Sequence, residues 1–321
     1  MFVQLRYYCI AVIVLLIIPA ITYPWGFFAH ERINRLAVYC LPPEMMVLYK
    51  PSIEYISKHA TDPDKRRYAV AAEGARHFID IDLLDAPPYK NIPRLWKDAV
   101  EKYSMDSLNQ MGILPWHLGK MLALLTNAFK EKDKEKILRL SAELGHYLAD
   151  AHVPLHACSN HNGQLTNQHG IHGLWESSIP EQLADQQFDY WAGKASYIAR
   201  TDNFIWEIIS LSGREADTVL SLEKQLSQEF PPATRFAYEN RNGKLIRTYA
   251  NAYTNSYSKL LNGMVERKMK NAIAAVAAAW YTCWVNAGQP SLSLLGSATA
   301  ETEPVQQLDL LQQRWMEDRC R

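Results

Sequence analysis

Histidine and carboxylate residues are concentrated in two short segments of the chain. The first segment, HYLADAHVPLH, runs from His146 to His156 and places His146 and Asp150 four residues apart. The second, HGLWE, repeats this spacing between His172 and Glu176. Residues four apart lie on one face of a helix, and imidazole with carboxylate is a ligand combination that zinc favours in catalytic sites. The two segments together predict a metal site rather than separate core histidines.

Pro154 should end or kink the first helix, so that His156 approaches from a new direction. Taken alone, an upstream aspartate could be a helix N-cap, and a lone upstream histidine could be a core residue. The further candidate ligands are Asp62 in KHATDPDKRRY, His77 in EGARHFIDID, and Trp25 and His30 in WGFFAHERIN.

The elements that must position these residues are mainly helices. Leucine and alanine recur three and four residues apart in the segment that leads to His146, with a charged stretch, KEKDKEK, dividing two helices. We expect one helix to end at Gly213, another before Pro231 and a long last one at Gly288. Strand-like alternation is scarce. The predicted fold class is all-α, a single multi-helix domain over residues 25–288.

The two ends of the chain have a different composition. Residues 1–24 contain one arginine, an apolar run and Pro19, which is typical of a secretory signal peptide, with an uncleaved N-terminal anchor as the alternative. Export predicts a secreted or periplasmic location. Residues 289–307 are rich in Ser, Thr, Glu and Pro, and residues 289–321 are predicted to be a flexible tail. The 34 basic and 34 acidic residues give no global charge that argues for nucleic acid or anionic membrane.

The five cysteines form no CxxC pair or dense framework, so disulfides are possible but do not organise the predicted fold. Cys158 lies two residues past His156. A small buried side chain is favoured there over a thiolate ligand.

The order and spacing of the candidate ligands resemble the zinc-dependent phospholipase C and single-strand-specific nuclease superfamily. This resemblance implies an all-helical fold with three zinc ions in a cleft. It implies one zinc bound by Asp62, His77, His146 and Asp150, and a second bound by His156, His172 and Glu176. A third zinc would be held by the Trp25 main chain and His30, with Asp150 bridging to the first.

The chemistry implied is hydrolysis of phosphate esters. Two zinc ions about 3.5–4 Å apart can hold a hydroxide that attacks phosphorus in line, and the third would stabilise the leaving alkoxide. Asp62 is the expected catalytic carboxylate, which would orient the nucleophile and accept its proton. This mechanism requires no serine or cysteine nucleophile.

Several residues favour the nuclease branch of the superfamily. The gap between Trp25 and His30 resembles that of the nucleases. Phe78 and Asp80 match positions that stack on a nucleobase and bond its edge, which would favour single-stranded nucleic acid or nucleotides as the substrate. Lys65 matches a position that contacts phosphate. Each has another interpretation: Phe78 as core, Asp80 as an exposed carboxylate and Lys65 as part of a solvated face.

Glu176 favours the other branch, because the phospholipases carry glutamate where the nucleases carry aspartate. Phospholipid head groups are therefore the alternative substrate, and a metal-stabilised binding protein without turnover is the third hypothesis. The remaining histidines are expected to be structural or to lie on the surface: His59, His117, His152, His161 and His169.

Overall fold

The computed structural model describes residues 26–241 and 244–296. Helices dominate this part of the chain, as the periodicity predicted. The α-helices are α1 (Phe27–Val38), α2 (Pro43–Tyr49), α3 (Ile53–Lys58), α4 (Asp62–Arg66), α5 (Ile81–Leu84), α6 (Trp96–Tyr103), α7 (Met105–Met111), α8 (Leu114–Glu131), α9 (Lys134–His152), α10 (Ile171–Gly173), α11 (Asp185–Gln187), α12 (Thr201–Glu229), α13 (Asn251–Leu260), α14 (Met264–Asn286) and α15 (Ser293–Gly296).

Short 3₁₀-helical and π-helical turns complete the helical part of the fold. The 3₁₀ turns are His59–Thr61, Gly74–Arg76, Pro154–Ala157 and Pro232–Thr234, and the π-helical turns are Leu174–Ser178 and Pro180–Ala184. The expected all-α class is confirmed for the described residues, since their only sheet has two strands.

The core is built around α9, which packs against α1, α8, α12 and α14. Every residue of α9 from Leu140 to His152 is buried. Polar contacts lock it to its neighbours: the Trp280 indole donates to the Ser141 carbonyl at 3.0 Å, and the Ser141 and Tyr49 hydroxyls lie 2.8 Å apart. Burial on all sides fixes the ligand-bearing end of α9 in a rigid frame.

One helix boundary predicted from glycine was wrong, and one helix break was not predicted. The helix expected to end at Gly213 continues to Glu229, because this glycine serves close packing instead: a Cβ there would lie 2.7 Å from Ile81 Cγ2. The last long helix is divided at Gly263, whose positive φ of 72° breaks it into α13 and α14. The charged break between α8 and α9, and the end of α9 before Pro154, were predicted correctly.

The sequence analysis did not identify the β-hairpin. β1 (Phe236–Arg241) pairs antiparallel with β2 (Lys244–Tyr249), with Phe236 opposite Tyr249. The available signal was Asn242-Gly243 between two runs with aromatic and β-branched residues. The hairpin contacts the loop between His156 and His172, because the Tyr249 hydroxyl donates to the His169 carbonyl at 3.3 Å.

The packed domain extends past the predicted boundary at Gly288. Leu292 is buried in the core, the Trp284 indole donates to the Pro290 carbonyl at 2.9 Å, and α15 packs against α2. Residues 289–296 therefore belong to the domain rather than to a tail. The predicted signal peptide and the tail from residue 297 onward lie outside the described residues.

No helix within residues 26–241 and 244–296 is both long enough and apolar enough to cross a membrane.

Gly145→Ala should destabilise the fold by about 1–3 kcal/mol, since overpacking a dense core has this cost. The added Cβ would lie 1.9 Å from Asn34 Oδ1. Asn34 cannot move freely, because its amide donates to the carbonyls of Ala142 at 3.0 Å and Ile56 at 3.3 Å. Urea unfolding of the chelator-treated protein measures the change without a contribution from metal.

Gly119→Ala on α8 is the matched control, since no atom beyond its own helix lies within 4 Å of the added Cβ. It should stabilise the protein by about 0.5–1 kcal/mol, because alanine loses less backbone entropy in a helix. Equal stability of Gly145→Ala and wild type would show that α1 and α9 are not held by this contact.

Candidate metal centre

Two long helices supply the first ligands. His146 and Asp150 lie one turn apart on α9, and His30 lies on α1 beside them. The His30 and His146 rings stack with centroids 4.0 Å apart. His30 Nε2 lies 3.4 Å from Asp150 Oδ1, and both side chains are buried.

His77 completes a group around the other oxygen of Asp150. Asp150 Oδ2 lies 3.0 Å from His77 Nδ1 and 3.2 Å from His146 Nε2, and these two ring nitrogens are 3.0 Å apart. Asp150 Oδ1 is also 3.9 Å from His156 Nε2. One carboxylate thus faces four histidines, which is the arrangement a bridging ligand requires.

The second predicted pair forms a separate group with His156. Glu176 Oε1 lies 2.8 Å from His172 Nε2, and Glu176 Oε2 lies 3.3 Å from His156 Nε2. The Pro154–Ala157 turn follows α9 and redirects the chain. Gly170, with a φ of 97°, begins the helical segment that presents His172 and Glu176.

Backbone carbonyls determine which nitrogen of these rings faces inward. Nδ1 of His146 lies 2.8 Å from the Ala60 carbonyl, Nδ1 of His156 lies 2.6 Å from the His77 carbonyl, and Nδ1 of His172 lies 2.9 Å from the His161 carbonyl. A carbonyl can only accept, so each Nδ1 carries a proton, and in the neutral ring each Nε2 presents a lone pair. Such outer hydrogen bonds are typical of metal-binding histidines.

The donor set fits a cation. Both oxygens of Asp64, both of Glu176 and Oδ1 of Asp150 are buried and accept no hydrogen bond from a described residue. The lone pair of His172 Nε2 faces Glu176 Oε1 at 2.8 Å, which is repulsive unless a positive charge lies between them. Burial lowers the pKa of His156, but Asp150 and Glu176 outweigh this effect and raise the pKa of His156 to about 9.

Asp64, rather than Asp62, enters the cluster. Asp62 instead pairs with two residues outside the cluster: its Oδ2 lies 2.5 Å from His59 Nδ1, and its Oδ1 lies 3.2 Å from Lys65 Nζ. Asp64 Oδ1 lies 3.6 Å from His77 Nδ1 and 3.8 Å from His146 Nε2. Residues two apart on a helix point in nearly opposite directions, so on α4 only one of the two aspartates can face the histidines. The structure therefore brings Asp64 to the histidines, and not Asp62, which was the ligand and catalytic carboxylate expected from sequence.

Three groups of buried side chains could therefore each hold a metal ion within the described residues. These are His30, Asp64 and His146; His77, His146 and Asp150; and His156, His172 and Glu176. Trp25 lies outside the described residues, so its main-chain ligation and the number of ions stay predictions.

Glu73 is a buried carboxylate beside the candidate site that the sequence analysis missed. Its Oε1 lies 3.6 Å from His77 Nε2, on the side of the ring away from the cluster. Burial opposes its ionisation, but His77, Arg66 and Tyr147 lower the pKa of Glu73, so it remains a carboxylate. It also accepts from Arg76 at 2.6 Å. The helix-type spacing of Glu73 and His77, four residues apart, was the available signal.

A cleft of about 150 Å³ opens at the third group. Its lining residues are Arg67, His77, Phe78, Leu155, His156, His161, Asn162 and His172. Of the predicted substrate-binding residues, the structure places Phe78 here. Lys65 instead pairs with Asp62, and its Nζ lies 5.7 Å from the centre of the Phe27 ring.

Asp80 does not line the cleft. Burial, with the charge of Asp82, raises the pKa of Asp80 to about 7. Arg67 is the cation that faces the cleft, with Nη1 3.8 Å from Asp64 Oδ1. Sequence reasoning overlooked it within the DKRR run.

The loop between His156 and His172 is anchored to α12. The Gln168 amide donates to the Leu220 carbonyl at 2.7 Å and to Glu223 Oε2 at 2.5 Å. The Tyr253 hydroxyl donates to the other oxygen of Glu223 at 2.6 Å. These contacts hold the cleft wall that carries His161.

The remaining candidates are mostly outside the ligand groups. His152 donates from Nδ1 to the Leu148 carbonyl at 2.7 Å, and burial lowers the pKa of His152 to about 4. His161 lines the cleft instead of serving only structure. Cys158 is a buried free thiol whose pKa burial raises to about 12, which argues against a thiolate ligand. Cys40 and Cys283 are also buried free thiols.

Comparisons with known proteins give limited information. No protein-family model matches the chain, and no curated protein matches it. Among solved structures, the alpha toxin from Clostridium absonum is similar at 12% sequence identity with a TM-score of 0.47. The match covers 80% of this chain and 63% of that chain, so this chain spans less than two thirds of the toxin structure. A likeness this distant carries no argument about activity.

Asp64→Asn should reduce the bound zinc by about one ion per chain, because an amide is a poorer zinc ligand than a carboxylate. Asp62→Asn is the matched control and should leave the zinc content unchanged. Elemental analysis after dialysis measures both. Loss of zinc in Asp62→Asn alone would restore the assignment made from sequence.

Glu73→Gln should weaken zinc binding by about 10–100-fold, the usual effect of removing the carboxylate behind a ligating histidine. Competition with a coloured chelator measures the affinity. Glu44→Gln, at an exposed position on α2, is the control and should bind zinc like wild type. An unchanged affinity in Glu73→Gln would assign Glu73 to fold stability alone.

Proposed function

We propose that this protein hydrolyses phosphodiesters with bound metal ions, and that the ester of a phospholipid head group is its substrate. One observation carries the phosphoesterase proposal. Histidine nitrogens and buried carboxylate oxygens without a hydrogen-bond donor converge beside a cleft that one arginine lines. Zinc, when bound there, supplies a Lewis acid that lowers the pKa of water and neutralises charge on phosphate.

The chain's own residues bind and orient the phosphate. Arg67 is half-exposed and would donate a two-pronged pair of hydrogen bonds to phosphate oxygens, which suits its planar guanidinium. Asp64 would take the proton of the attacking water, the role first expected for Asp62, because Asp64 is the aspartate of α4 that faces the histidines. Leu155 and Phe78 form an apolar wall that limits water in the cleft.

Cleft size and surface favour a lipid over a soluble nucleotide. At about 150 Å³ the cleft is smaller than pockets that enclose a drug-sized ligand, about 300–1,000 Å³. It therefore holds a phosphate group while most of the substrate stays outside. Tyr68, next to Arg67, is 72% exposed, and Leu165, on the cleft loop, is 70% exposed. Exposed side chains of this kind suit contact with a membrane interface.

Single-stranded nucleic acid is the second candidate substrate. The rings of Phe78 and His161 both line the cleft, with centroids 6.5 Å apart, and an aromatic face of this kind can stack on a base. The other two residues that suggested a nucleotide, Lys65 and Asp80, are not in the cleft.

Zinc-loaded protein should release diacylglycerol from phosphatidylcholine vesicles, and Asp150→Asn should abolish this release. Parallel assays with single-stranded DNA and 3′-AMP measure the competing activity. Products from nucleic acid without diacylglycerol would replace the phospholipid by the nuclease function. No turnover of any of the three would favour the binding protein.

Combined Tyr68→Ser and Leu165→Ser should lower the rate on vesicles and leave zinc content unchanged. Leu95→Ser removes an equally exposed leucine, 67% accessible, from a segment that does not line the cleft, and serves as the control. Equal loss in the control would show that surface hydrophobicity in general, rather than the cleft rim, governs the rate.

A further inference from the structure

A second cavity of about 430 Å³ lies against α8 and α9. It shares no lining residue with the cleft, and none of the proposed metal ligands lines it. Its volume is within the range of about 300–1,000 Å³ that is typical of small-molecule sites. The proposed phosphodiester hydrolysis assigns no role to this cavity.

The lining of this cavity is basic. Five cationic side chains face it, against the two carboxylates of Glu131 and Glu143. The cations are Arg66, Arg76, Lys120, Lys136 and Arg139. A concave surface lined mainly by one sign of charge concentrates ions of the opposite sign.

The two carboxylates are already engaged. Glu143 Oε1 lies 2.7 Å from Arg66 Nη1. It is farther from Arg139 Nη1, at 3.8 Å. Glu131 pairs with Lys136 at 3.1 Å. Lys120 is exposed and forms no ion pair with any described residue. Lys120 and Arg139 therefore retain donors for a ligand.

A buried polar side chain also lines the cavity. His117 is 8% exposed, and its Nε2 has no hydrogen-bond partner among the described residues. Its ring packs edge-on against Tyr147 with centroids 4.5 Å apart. An imidazole held in this way offers a hydrogen bond that no part of the described protein uses.

We propose that this cavity binds a small soluble anion that carries a phosphate group. Arg139 and Arg76 provide guanidinium groups that match phosphate oxygens, Lys120 adds a point charge, and His117 adds a hydrogen bond. No candidate metal ligand lines the cavity, and the proposal does not rest on the proposed function.

Calorimetric titration of the zinc-loaded full chain with glycerol 3-phosphate tests the proposal. Wild type should show two binding sites, since the metal cleft also attracts phosphate. His156→Ala should retain the cavity site. The double variant Lys120→Glu, Arg139→Glu should weaken that site at least about tenfold, equivalent to ~1.4 kcal/mol, and both changes are at exposed positions, so the fold is retained.

Lys130→Glu, on the same helix as Lys120 but outside the cavity, is the control for reversing one surface charge and should titrate like wild type. Identical isotherms for the double variant and wild type would overturn the proposal. Binding to phosphatidic acid vesicles without binding to glycerol 3-phosphate would also overturn it. Diacylglycerol release by the double variant reports separately on the proposed function, because neither residue belongs to the cleft.

Discussion

Three backbone carbonyls fix the orientation of three histidines in the candidate metal centre: His146, His156 and His172. Ala60, His77 and His161 each accept from Nδ1 of a different ring, and this leaves every Nε2 directed at a carboxylate. A ring that flipped would present N–H groups to the carboxylates and lose its affinity for a cation. The ligand set thus depends on main-chain positions in three separate segments.

Those segments are held by the packing around α9. Gly145 lets Asn34 of α1 approach the α9 backbone, which places His30 against His146 at a centroid distance of 4.0 Å. On the other side, Gln168 fastens the cleft loop to α12. A displacement of either contact would move a carbonyl or a ring, so the geometry of the centre is determined by the core rather than by the ligands alone.

The sequence predicted those parts of the site that depend on local spacing. His146 and Asp150, like His172 and Glu176, are four residues apart, and helical geometry alone brings each pair together. The choice between Asp62 and Asp64 depended on which face of a five-residue helix meets α9, which no local pattern reveals. The prediction of a helix end at Gly213 was wrong for a similar reason. This glycine allows close packing against Ile81, which is distant from it in the sequence. Arg67 and Glu73 were missed because charged residues near a ligand are common without any role.

The basic cavity and the metal centre share one physical element. Arg66 and Arg76 line the cavity, and the same guanidinium groups bind Glu73, the carboxylate behind His77. An anion in the cavity would compete with Glu73 for these cations, and Glu73 would then act more strongly on the His77 ring. A bound phosphate would in this way change the basicity of a metal ligand without entering the cleft. Because linkage is reciprocal, metal bound at His77 would equally change the affinity of the cavity for the anion.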